Sequence, residues 1–472
     1  MKLLLINPPY DEVYSEVKSA EGINPPLGLA YIAAYLRDNN IEVEILDAHA
    51  LRIGLKELQN RSFNYDVVGV PSMTPTLYTS IEVLRIVKKI NPNCKTVMGG
   101  PHISAVPVET MASYPEIDFA VIGEGERTML ELARSIQNED YSGNVNGIAY
   151  RKNDEIKLTP QRALIDNIDE IPFPACDLLP LDKYYQHLHH VSLGNNIPTY
   201  PFMIFFSSRG CPSRCTFCAS DVIWRHKVRF RSVDNVLSEI DLLINKYNIK
   251  VLDIADDNFL LNKKRLNGIL DGLLERDYDI HFNCLSRVND VGGEILQKLK
   301  RAGCYLIRYG VESGNQEMLN CMHKNITIDQ IKRAFELTKE AGISSSASFI
   351  IGHPGETEQT VKDTIELAKE INPTLAHFFI AIPLPCTELY DIAKEKNLIV
   401  NMNLREWKQM PELPAIRTEE LTPEDLKEWR RKAYRGFYFR PAYIFERLGS
   451  IKSMAQIKFY LKGLMAVKSL TK

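Results

Sequence analysis

The sequence predicts an α/β protein in which a doubly wound parallel sheet is followed by a six-unit partial barrel and a helical tail. Buried-strand patterns alternate with amphipathic helical patterns through most of the 472 residues, and this alternation is typical of parallel sheets covered by helices. The alternation restarts near residue 201, after a stretch rich in proline, aspartate, tyrosine and histidine. The restart indicates a second α/β unit, and the length alone favours about three domains.

The first segment contains five predicted strands with helical patterns between them. The strands are KLLLIN, VEILDA, DVVGVPS, KTVMGG and FAVIGEGE. Doubly wound sheets bind ligands at the carboxyl ends of their strands. The turns at those ends are NPP (7–9), SMTPT (72–76), GGPH (99–102) and GEGE (123–126). Their glycines either only make tight turns or also line a ligand site. No GxGxxG motif is present, which disfavours a nicotinamide-dinucleotide site.

The second segment has its own series of strands and helices. A hairpin pattern at 146–160 and an irregular bridge at 161–200 precede it. Its six predicted strands are MIFFS, KVLDIAD, HFNCLSR, LIRYGVES, SASFIIG and AHFFIAIPL. Six such units predict a (β/α)6 partial TIM barrel, in which function sits at the carboxyl ends of the strands. The predicted divisions are 1–145, 146–200, 201–400 and a C-terminal extension at 401–472.

The composition excludes several classes of protein. The content of 45% hydrophobic and 25% charged residues is that of an ordinary globular protein, and the net charge of −3 argues against a nucleic-acid binder. The apolar run in MKLLLINPPYDEV is too short for a signal peptide, and no apolar stretch of ~18 residues suggests a membrane span. We therefore expect a cytoplasmic protein whose nine cysteines are reduced, buried or metal-bound.

Three of the nine cysteines lie within eight positions of one another. The stretch SRGCPSRCTFCAS (208–220) places Cys211, Cys215 and Cys218 just past the first strand of the second segment. Thiolates at this spacing bind a soft metal. A structural zinc site closes four ligands and usually has a second cysteine pair, which is not visible here, although an unusual zinc site or fortuitous spacing stays open. Three thiolates suit a four-iron cluster with one iron left open for a ligand.

The motif RGCPSRCTFC (209–218) resembles that of the radical S-adenosylmethionine (SAM) superfamily. The resemblance implies that the three cysteines hold a [4Fe-4S] cluster whose open iron chelates SAM. It also implies an external one-electron reductant of the flavodoxin or ferredoxin type, cleavage of SAM to methionine and a 5′-deoxyadenosyl radical, and hydrogen abstraction from an unactivated carbon. By the same resemblance, Phe217 lies beside the adenine of SAM.

Motifs at later strand ends resemble the same superfamily. They are DIADDNF (253–259), LSRV (285–288), YGVESG (309–314) and IIGHPGET (350–357). The resemblance implies SAM contacts by seven residues: Asp256, Asp257, Ser286, Arg287, Glu312, Ile351 and Gly352. Other interpretations stay open. The two aspartates could cap a turn, Glu312 could be a buried carboxylate with a protein partner, and Arg287 could pair with Asp256 or Glu312.

The first segment resembles a cobalamin-binding domain. The stretches PPLGLAYIAAYLRDNNIEVEILDA, GGPH and IDFAVIGEGE are similar to a cobalamin-dependent subgroup. This subgroup includes the anaerobic magnesium-protoporphyrin IX monomethyl ester cyclase and B12-dependent radical SAM C-methylases. The resemblance implies a Rossmann-like domain of the B12-binding type, with cobalamin contacts by Pro8, Ser72, Thr74, Gly99, Gly100, Gly123 and Glu124. The DxHxxG motif of many B12 proteins is broken in DAHALRIG (47–54), so we expect no cobalt ligation by His49.

Three functional hypotheses follow from these resemblances. The favoured one is a cobalamin-dependent radical SAM C-methyltransferase, and the second is a radical SAM cyclase or C–C bond-forming enzyme acting on a lipid or tetrapyrrole. The third, a noncatalytic metal-binding sensor, is disfavoured because a sensor needs no such barrel. In PLPCTELY (383–390), Cys386 stands where relatives usually carry glycine. It is either a packing variant or a catalytic group near the substrate, a small molecule or lipid that no motif identifies.

The tail differs chemically from the rest of the chain. Residues 427–472 contain twelve lysines or arginines and two acidic residues, with aromatic residues between them. The stretch SMAQIKFYLKGLMAVKSL (453–470) predicts a basic amphipathic helix, which could lie on an anionic membrane. Packing against the barrel and RNA binding are the alternatives. Membrane association would suit a lipid or other apolar substrate.

Overall fold

The computed structural model describes residues 1–10, 23–139, 144–153, 155–184, 201–407 and 413–449, together with residues 451, 457, 461 and 463. Two sheets dominate these residues, one of seven strands and one of six. Helices cover both sheets, so the predicted α/β fold class is confirmed. The predicted domain divisions at 145, 200 and 400 stay a prediction.

The first sheet is doubly wound. Its elements are β1 (Lys2–Asn7), α1 (Leu27–Asp38), β2 (Glu42–Asp47), α2 (Leu55–Leu58), β3 (Val67–Pro71), α3 (Leu77–Ile90), β4 (Lys95–Gly99), α4 (Pro101–Ala105), α5 (Pro107–Ser113), β5 (Phe119–Val121), α6 (Gly125–Gln137), β6 (Ile148–Lys152) and β7 (Glu155–Leu158). The strand order is β2-β1-β3-β4-β5-β6-β7. The first five strands are parallel, and β6 and β7 add an antiparallel hairpin.

The run of apolar residues in β1 explains why this strand is central. Leu3 and Leu5 are buried in the core on one face of the sheet, whereas Leu4 and Ile6 are buried in the core on the other face. Successive side chains of a strand point to opposite faces, so a strand covered on both sides must be apolar throughout. Because β1 lies between β2 and β3, the chain reverses its winding direction there, and a crevice opens at the carboxyl ends of the strands.

The second sheet is an open, fully parallel partial barrel. A short helix α7 (Leu181–Tyr184) precedes it. Its elements are β8 (Phe202–Phe205), β9 (Ser208–Arg209), α8 (Ser220–Trp224), β10 (Arg229–Phe230), α9 (Val233–Tyr247), β11 (Val251–Ile254), α10 (Lys263–Arg276), β12 (His281–Ser286), α11 (Gly293–Arg301), β13 (Cys304–Glu312), α12 (Gln316–Cys321), α13 (Ile328–Glu340), β14 (Ser344–Ile351), α14 (Glu358–Ile371), β15 (Leu375–Ile380) and α15 (Glu388–Glu395). The strand order is β15-β14-β13-β12-β11-β8, while β9 and β10 form a separate antiparallel ribbon.

The described part of the tail packs on the barrel. It contains α16 (Pro423–Tyr438) and α17 (Pro441–Gly449). The Tyr438 hydroxyl donates to the Ala376 carbonyl of β15 at 2.9 Å, and the Tyr443 hydroxyl donates to the Thr374 carbonyl at 2.9 Å. The predicted amphipathic helix at 453–470 lies almost entirely outside the described residues. Within the described part of the chain, no helix is both long and apolar enough to cross a membrane.

Candidate functional site

The carboxyl ends of the two sheets face a shared cavity of about 680 Å³. The first sheet lines it through the turns after its strands, including Pro71, Ser72 and Gly99. The barrel lines it through Arg209 and Gly210, which precede the cysteines, and through residues of α8 and of the turn after β11. The cavity therefore lies at the strand ends where the first sheet was predicted to bind its ligand, and of the described residues predicted to bind the cluster or SAM, Asp257 alone is part of its wall.

Most of the residues predicted to contact cobalamin line this cavity. They are Ser72, Gly99, Gly100, Gly123 and Glu124. Pro8 and Thr74 are not part of its wall, and the Thr74 hydroxyl lies 3.0 Å from Nδ1 of the buried His102. Contact of all seven residues with cobalamin stays a prediction.

The wall at Gly100 consists of closely packed backbone. Gly100 has φ +97°, and a Cβ there would lie 2.6 Å from the Ser72 carbonyl oxygen. The turns are joined by a hydrogen bond of 2.7 Å from the Ser72 amide to the Gly99 carbonyl. At this point the wall is backbone without a side chain, which lets a broad, flat macrocycle approach closely. The residues present therefore fit a corrin ring.

His49 also lines the cavity. The backbone amide of Tyr10 donates to its Nδ1 at 3.2 Å, and the two rings lie 4.9 Å apart between centroids. The neighbouring Asp47 is buried and accepts hydrogen bonds from Asn7 at 2.8 Å and from the Tyr184 hydroxyl at 2.6 Å. Asp47 is thus a structural anchor of the crevice.

The three clustered cysteines lie on the loop between β9 and β10, which we call the cysteine loop (210–228). Burial raises the pKa of the Cys215 thiol, and it raises the pKa of the Cys218 thiol to about 11. Bound iron would supply the positive charge that stabilises their thiolate forms. Among the described residues, no three Cys, His, Asp or Glu side chains converge to hold one metal ion. The three thiolates fit a cluster in which each binds a separate iron and the fourth iron stays open to another ligand.

Arg287 braces the cysteine loop. Its Nη1 donates to the Ser213 hydroxyl at 2.6 Å and lies 4.0 Å from the Cys215 sulfur, and its Nη2 donates to the Lys324 carbonyl. Arg287 therefore forms an ion pair with neither Asp256 nor Glu312, although the sequence had left both pairings open. The charges of Lys324 and Arg287 lower the pKa of Cys215, but desolvation is the larger effect and leaves it raised.

Glu312 forms a buried ion pair that the sequence did not reveal. Its Oε1 accepts from Lys324 Nζ at 2.7 Å, and Lys324 Nζ lies 5.9 Å from the ring centroid of Phe217. A Cβ at Gly310 would collide with the Glu312 carboxylate and would lie 2.8 Å from Lys324 Nζ, so the pair occupies the space that glycine leaves. Glu312 is thus a buried carboxylate with a protein partner. Contact of Glu312 with SAM stays a prediction.

The two aspartates after β11 differ in role. Asp256 is buried and accepts from the Ser207 amide at 2.6 Å and from the Ser208 hydroxyl at 2.6 Å. It therefore caps the strand end that leads into the cysteine loop. Asp257 accepts from the Ser220 hydroxyl at 2.8 Å and lines the cavity. Burial raises the pKa of both carboxyls. Asp257 is thus better placed to meet a ligand than Asp256.

The remaining predicted residues lie at the ends of β12 and β14 and beyond β15. The Ser286 hydroxyl donates to the Arg287 carbonyl at 3.0 Å, while Ile351 is buried and Gly352 has φ +92°. Cys386 has φ +63°, a backbone conformation that favours glycine. Its thiol donates to the Ala105 carbonyl at 3.1 Å, and it is not part of the cavity wall. A catalytic role for Cys386, which is exposed, stays a prediction.

The buried carboxyl of Glu356, which lies close to Gly352, should make the stability of the protein depend on pH. Burial raises the pKa of its carboxyl to about 8, although the amides of Gly352 and His353 oppose the shift. The carboxyl titrates near pH ~4.3 in the unfolded chain. Its contribution to the free energy of unfolding is therefore fully present below that pH. This contribution falls by up to ~1.4 kcal/mol per pH unit as the pH rises toward the pKa of the carboxyl in the folded protein.

We expect Glu356→Gln to flatten this decline. Urea denaturation at about pH 6 and about pH 8 measures the free energy of unfolding of both proteins. The exposed Glu358 on the next helix provides a matched control, since Glu358→Gln should leave the slope as in the unmodified protein. Equal slopes for the unmodified protein and Glu356→Gln would show that Glu356 is ionised in the fold.

Together, the fold and the site define an enzyme with two ligand-binding units that face one cavity. Residues 205–368 match the radical SAM superfamily, and residues 17–133 match the B12 binding domain. An uncharacterized methyltransferase of Pyrococcus horikoshii is 36% identical over 99% of this chain and 98% of its own length. The chain therefore belongs to the radical SAM superfamily, and it carries a B12-binding domain ahead of its radical SAM domain.

Other relatives and solved structures agree with this assignment. The anaerobic magnesium-protoporphyrin IX monomethyl ester cyclase of Rubrivivax gelatinosus is 28% identical over 94% of this chain and 78% of its own length. The cobalamin-dependent SAM radical enzyme OxsB, with aqua-cobalamin bound, superposes with a TM-score of 0.74 at 19% identity, covering 99% of this chain and 72% of OxsB. The methyltransferase TsrM of Kitasatospora setae, with cobalamin and a [4Fe-4S] cluster bound, superposes with a TM-score of 0.68 at 19% identity, covering 85% of this chain and 76% of TsrM.

Proposed function

We propose that this protein is a cobalamin-dependent radical SAM methyltransferase that methylates an unactivated carbon of a small molecule. The observation that carries the proposal is the single cavity bounded by the glycine turns of the B12-binding domain and by the start of the cysteine loop. A methyl group and a radical must reach the same substrate carbon, and one shared cavity lets both cofactors act there. The methyltransferase relative from Pyrococcus horikoshii supports this reaction type.

The chain's own residues would divide the work as follows. Cys211, Cys215 and Cys218 would hold the cluster, and the turns at Ser72, Gly99 and Gly100 would hold cobalamin. When bound, the cluster supplies the electron that cleaves SAM, and cobalamin supplies the methyl group. Asp257, Phe217 and the Glu312–Lys324 pair would bind SAM. Arg287 would keep the cysteine loop in place through Ser213.

Cobalamin titration tests this proposal. Anaerobically reconstituted protein should retain hydroxocobalamin through gel filtration, and His49→Ala should leave the bound spectrum unchanged because no histidine ligates the cobalt. A protein with a complete cluster that retains no cobalamin would contradict the proposal. A spectral change in His49→Ala would show instead that His49 is a ligand despite the broken motif.

A cyclase or C–C bond-forming activity is the second candidate. The relative from Rubrivivax gelatinosus, a cyclase that matches over 94% of this chain, favours it. The two candidates differ in the fate of SAM. A methyltransferase converts SAM to S-adenosylhomocysteine as well as to 5′-deoxyadenosine, whereas a cyclase forms no S-adenosylhomocysteine. Both need a small-molecule substrate and an external one-electron reductant, which we propose to be a flavodoxin or ferredoxin.

We also propose that the end of the chain contacts an anionic membrane, which would suit a lipid substrate. The described helix α17 exposes an apolar face, with Phe445 73% and Leu448 59% exposed. The twelve basic and two acidic residues at 427–472 give this end of the chain a strong positive charge. Each basic residue near an anionic surface contributes about 1 kcal/mol to binding. Apolar and electrostatic attraction would then act together.

Cosedimentation with phosphatidylserine-containing vesicles tests the membrane contact. We expect the full chain to sediment with the vesicles at low salt, to be released by salt, and to bind several-fold more weakly as Phe445→Ser/Leu448→Ser. Leu158→Ser is the matched control because Leu158 is also exposed but lies on the first sheet. Full-length protein that stays in the supernatant at low salt would contradict the proposal.

A further inference from the structure

The cysteine loop is closed at its base by a tight two-stranded ribbon. Arg209 of β9 pairs directly with Arg229 of β10. Gly210 has φ +92°, and a Cβ there would collide with the Lys227 carbonyl. The ribbon therefore brings two guanidinium groups side by side at the base of the loop that carries all three clustered cysteines. The two positive charges repel each other. Anions close to both guanidinium groups are needed to offset this repulsion.

The anions come from the B12-binding domain. Arg209 donates to Glu124 at 2.8 Å and to Glu126 at 2.6 Å. Arg229 donates to the second oxygen of Glu124, also at 2.8 Å. All four side chains are buried or nearly so. Two carboxylates from one domain thus neutralise two guanidiniums from the other, and we call these four residues the charge clamp.

Neighbouring groups hold the charge clamp rigid. The Ile165 amide donates to Glu124 at 2.8 Å, and the Ile165 carbonyl accepts from Arg229 at 2.7 Å. The ring of Trp224 lies 5.7 Å from the Arg209 guanidinium carbon and 5.4 Å from that of Arg229. Tyr31 of α1 lies 5.3 Å from Arg209. Stacking of this kind adds cation–π attraction to the ion pairs.

The positive charges around Glu124 favour its ionised form. Burial alone would raise the pKa of its carboxyl, but the hydrogen bond from Arg229 and the charge of Arg209 outweigh burial, and the pKa lies below its usual value. Glu124 also stands at the N-terminus of α6, where a negative charge is favourable. Removal of the Glu124 carboxylate would leave the buried Arg229 guanidinium without its anionic partner, which is strongly destabilising locally.

We propose that Glu124 and Glu126 are positioning residues, through which the B12-binding domain fixes the place and the electrostatic surroundings of the metal site on the cysteine loop. Arg209 is two residues from Cys211, so any shift of the charge clamp moves the loop. Glu124, Glu126 and Arg209 also line the shared cavity. The inference rests on the proposed function only in taking the bound metal to be an iron–sulfur cluster.

The reduction potential of the cluster tests the inference. Neutralising Glu124 as Glu124→Gln removes a negative charge near the cluster and should make the potential more positive. Arg209→Gln removes a positive charge and should make it more negative. A merely structural role would not give shifts of opposite sign. Glu131→Gln is the matched control, since Glu131 lies on the same helix but pairs with Arg162, away from the loop.

Two further measurements keep the inference falsifiable. If Glu124→Gln takes up no iron, Glu126→Gln, which loses one contact only, is expected to shift the potential in the same positive direction. Potentials equal to that of the unmodified protein in the glutamate variants would overturn the inference. Cobalamin retention is measured on the same samples. Failure of the unmodified protein to retain cobalamin would contradict the proposed function. The reduction potentials of the variants could still be compared.

Discussion

Replacement of Cys215 by alanine is expected to abolish both the metal site and the cleavage of SAM. A cluster held by only three thiolates has no spare ligand, so Cys215→Ala should reduce iron from about four per chain to near zero. The change also leaves the Arg287 and Lys324 charges without the thiolate that they flank. Cleavage of SAM should fall more than about a hundredfold. Changing a residue that only contacts a metal ligand usually has a smaller effect, of up to about a hundredfold.

The matched control is Cys321→Ala. Cys321 is exposed, lies at the end of α12 and is outside the cysteine loop, so iron content and SAM cleavage should stay as in the unmodified protein. Iron is measured by chemical analysis after anaerobic reconstitution, and 5′-deoxyadenosine is measured by mass spectrometry. A full iron complement in Cys215→Ala would show that the assignment of the ligands is wrong.

The second large effect is expected from Lys324→Met. The side chain of Lys324 is only 9% exposed and lies 2.7 Å from the Glu312 carboxylate. Loss of one partner of a buried ion pair leaves an uncompensated charge, which costs about 3–5 kcal/mol of unfolding free energy. Because the side chain of Glu312 is only 8% exposed, its carboxylate cannot easily reach water instead.

A second substitution isolates the charge from the packing. Glu312→Gln combined with Lys324→Met should recover much of the stability, because no buried charge is then left unpaired. Lys362→Met is the control, since Lys362 forms an exposed pair with Glu358 and should change stability little. Urea denaturation measures all four proteins. Equal stability of the single Lys324→Met variant and the unmodified protein would contradict the importance of the pair.

The fold could be predicted largely from periodicity. Strands such as β1 are apolar throughout because helices cover both faces, and such runs are legible in a sequence. The cysteine spacing is equally local, which is why Cys211, Cys215 and Cys218 could be assigned to one site. Their position after β8 followed directly from the order of the elements.

The partners of charged residues could not be predicted, because they depend on which distant segments meet. Lys324 follows α12 and reaches Glu312 only after the chain has turned back. Glu124 was predicted to contact cobalamin, and it does line the cavity, but its two oxygens bind Arg209 and Arg229 of the other domain. Arg287 meets Ser213 rather than either predicted carboxylate. Spacing along the chain carries no information about such contacts.

The fate of SAM distinguishes a cobalamin-dependent radical SAM methyltransferase from other enzymes. SAM that is cleaved by one electron gives 5′-deoxyadenosine and methionine, whereas SAM that donates its methyl group gives S-adenosylhomocysteine. The reconstituted protein, incubated with SAM, a strong one-electron reductant and hydroxocobalamin, should form both products, and S-adenosylhomocysteine should disappear when cobalamin is omitted. Iron-replete protein that forms no 5′-deoxyadenosine, or that forms it without any cobalamin-dependent S-adenosylhomocysteine, would contradict a cobalamin-dependent radical SAM methyltransferase.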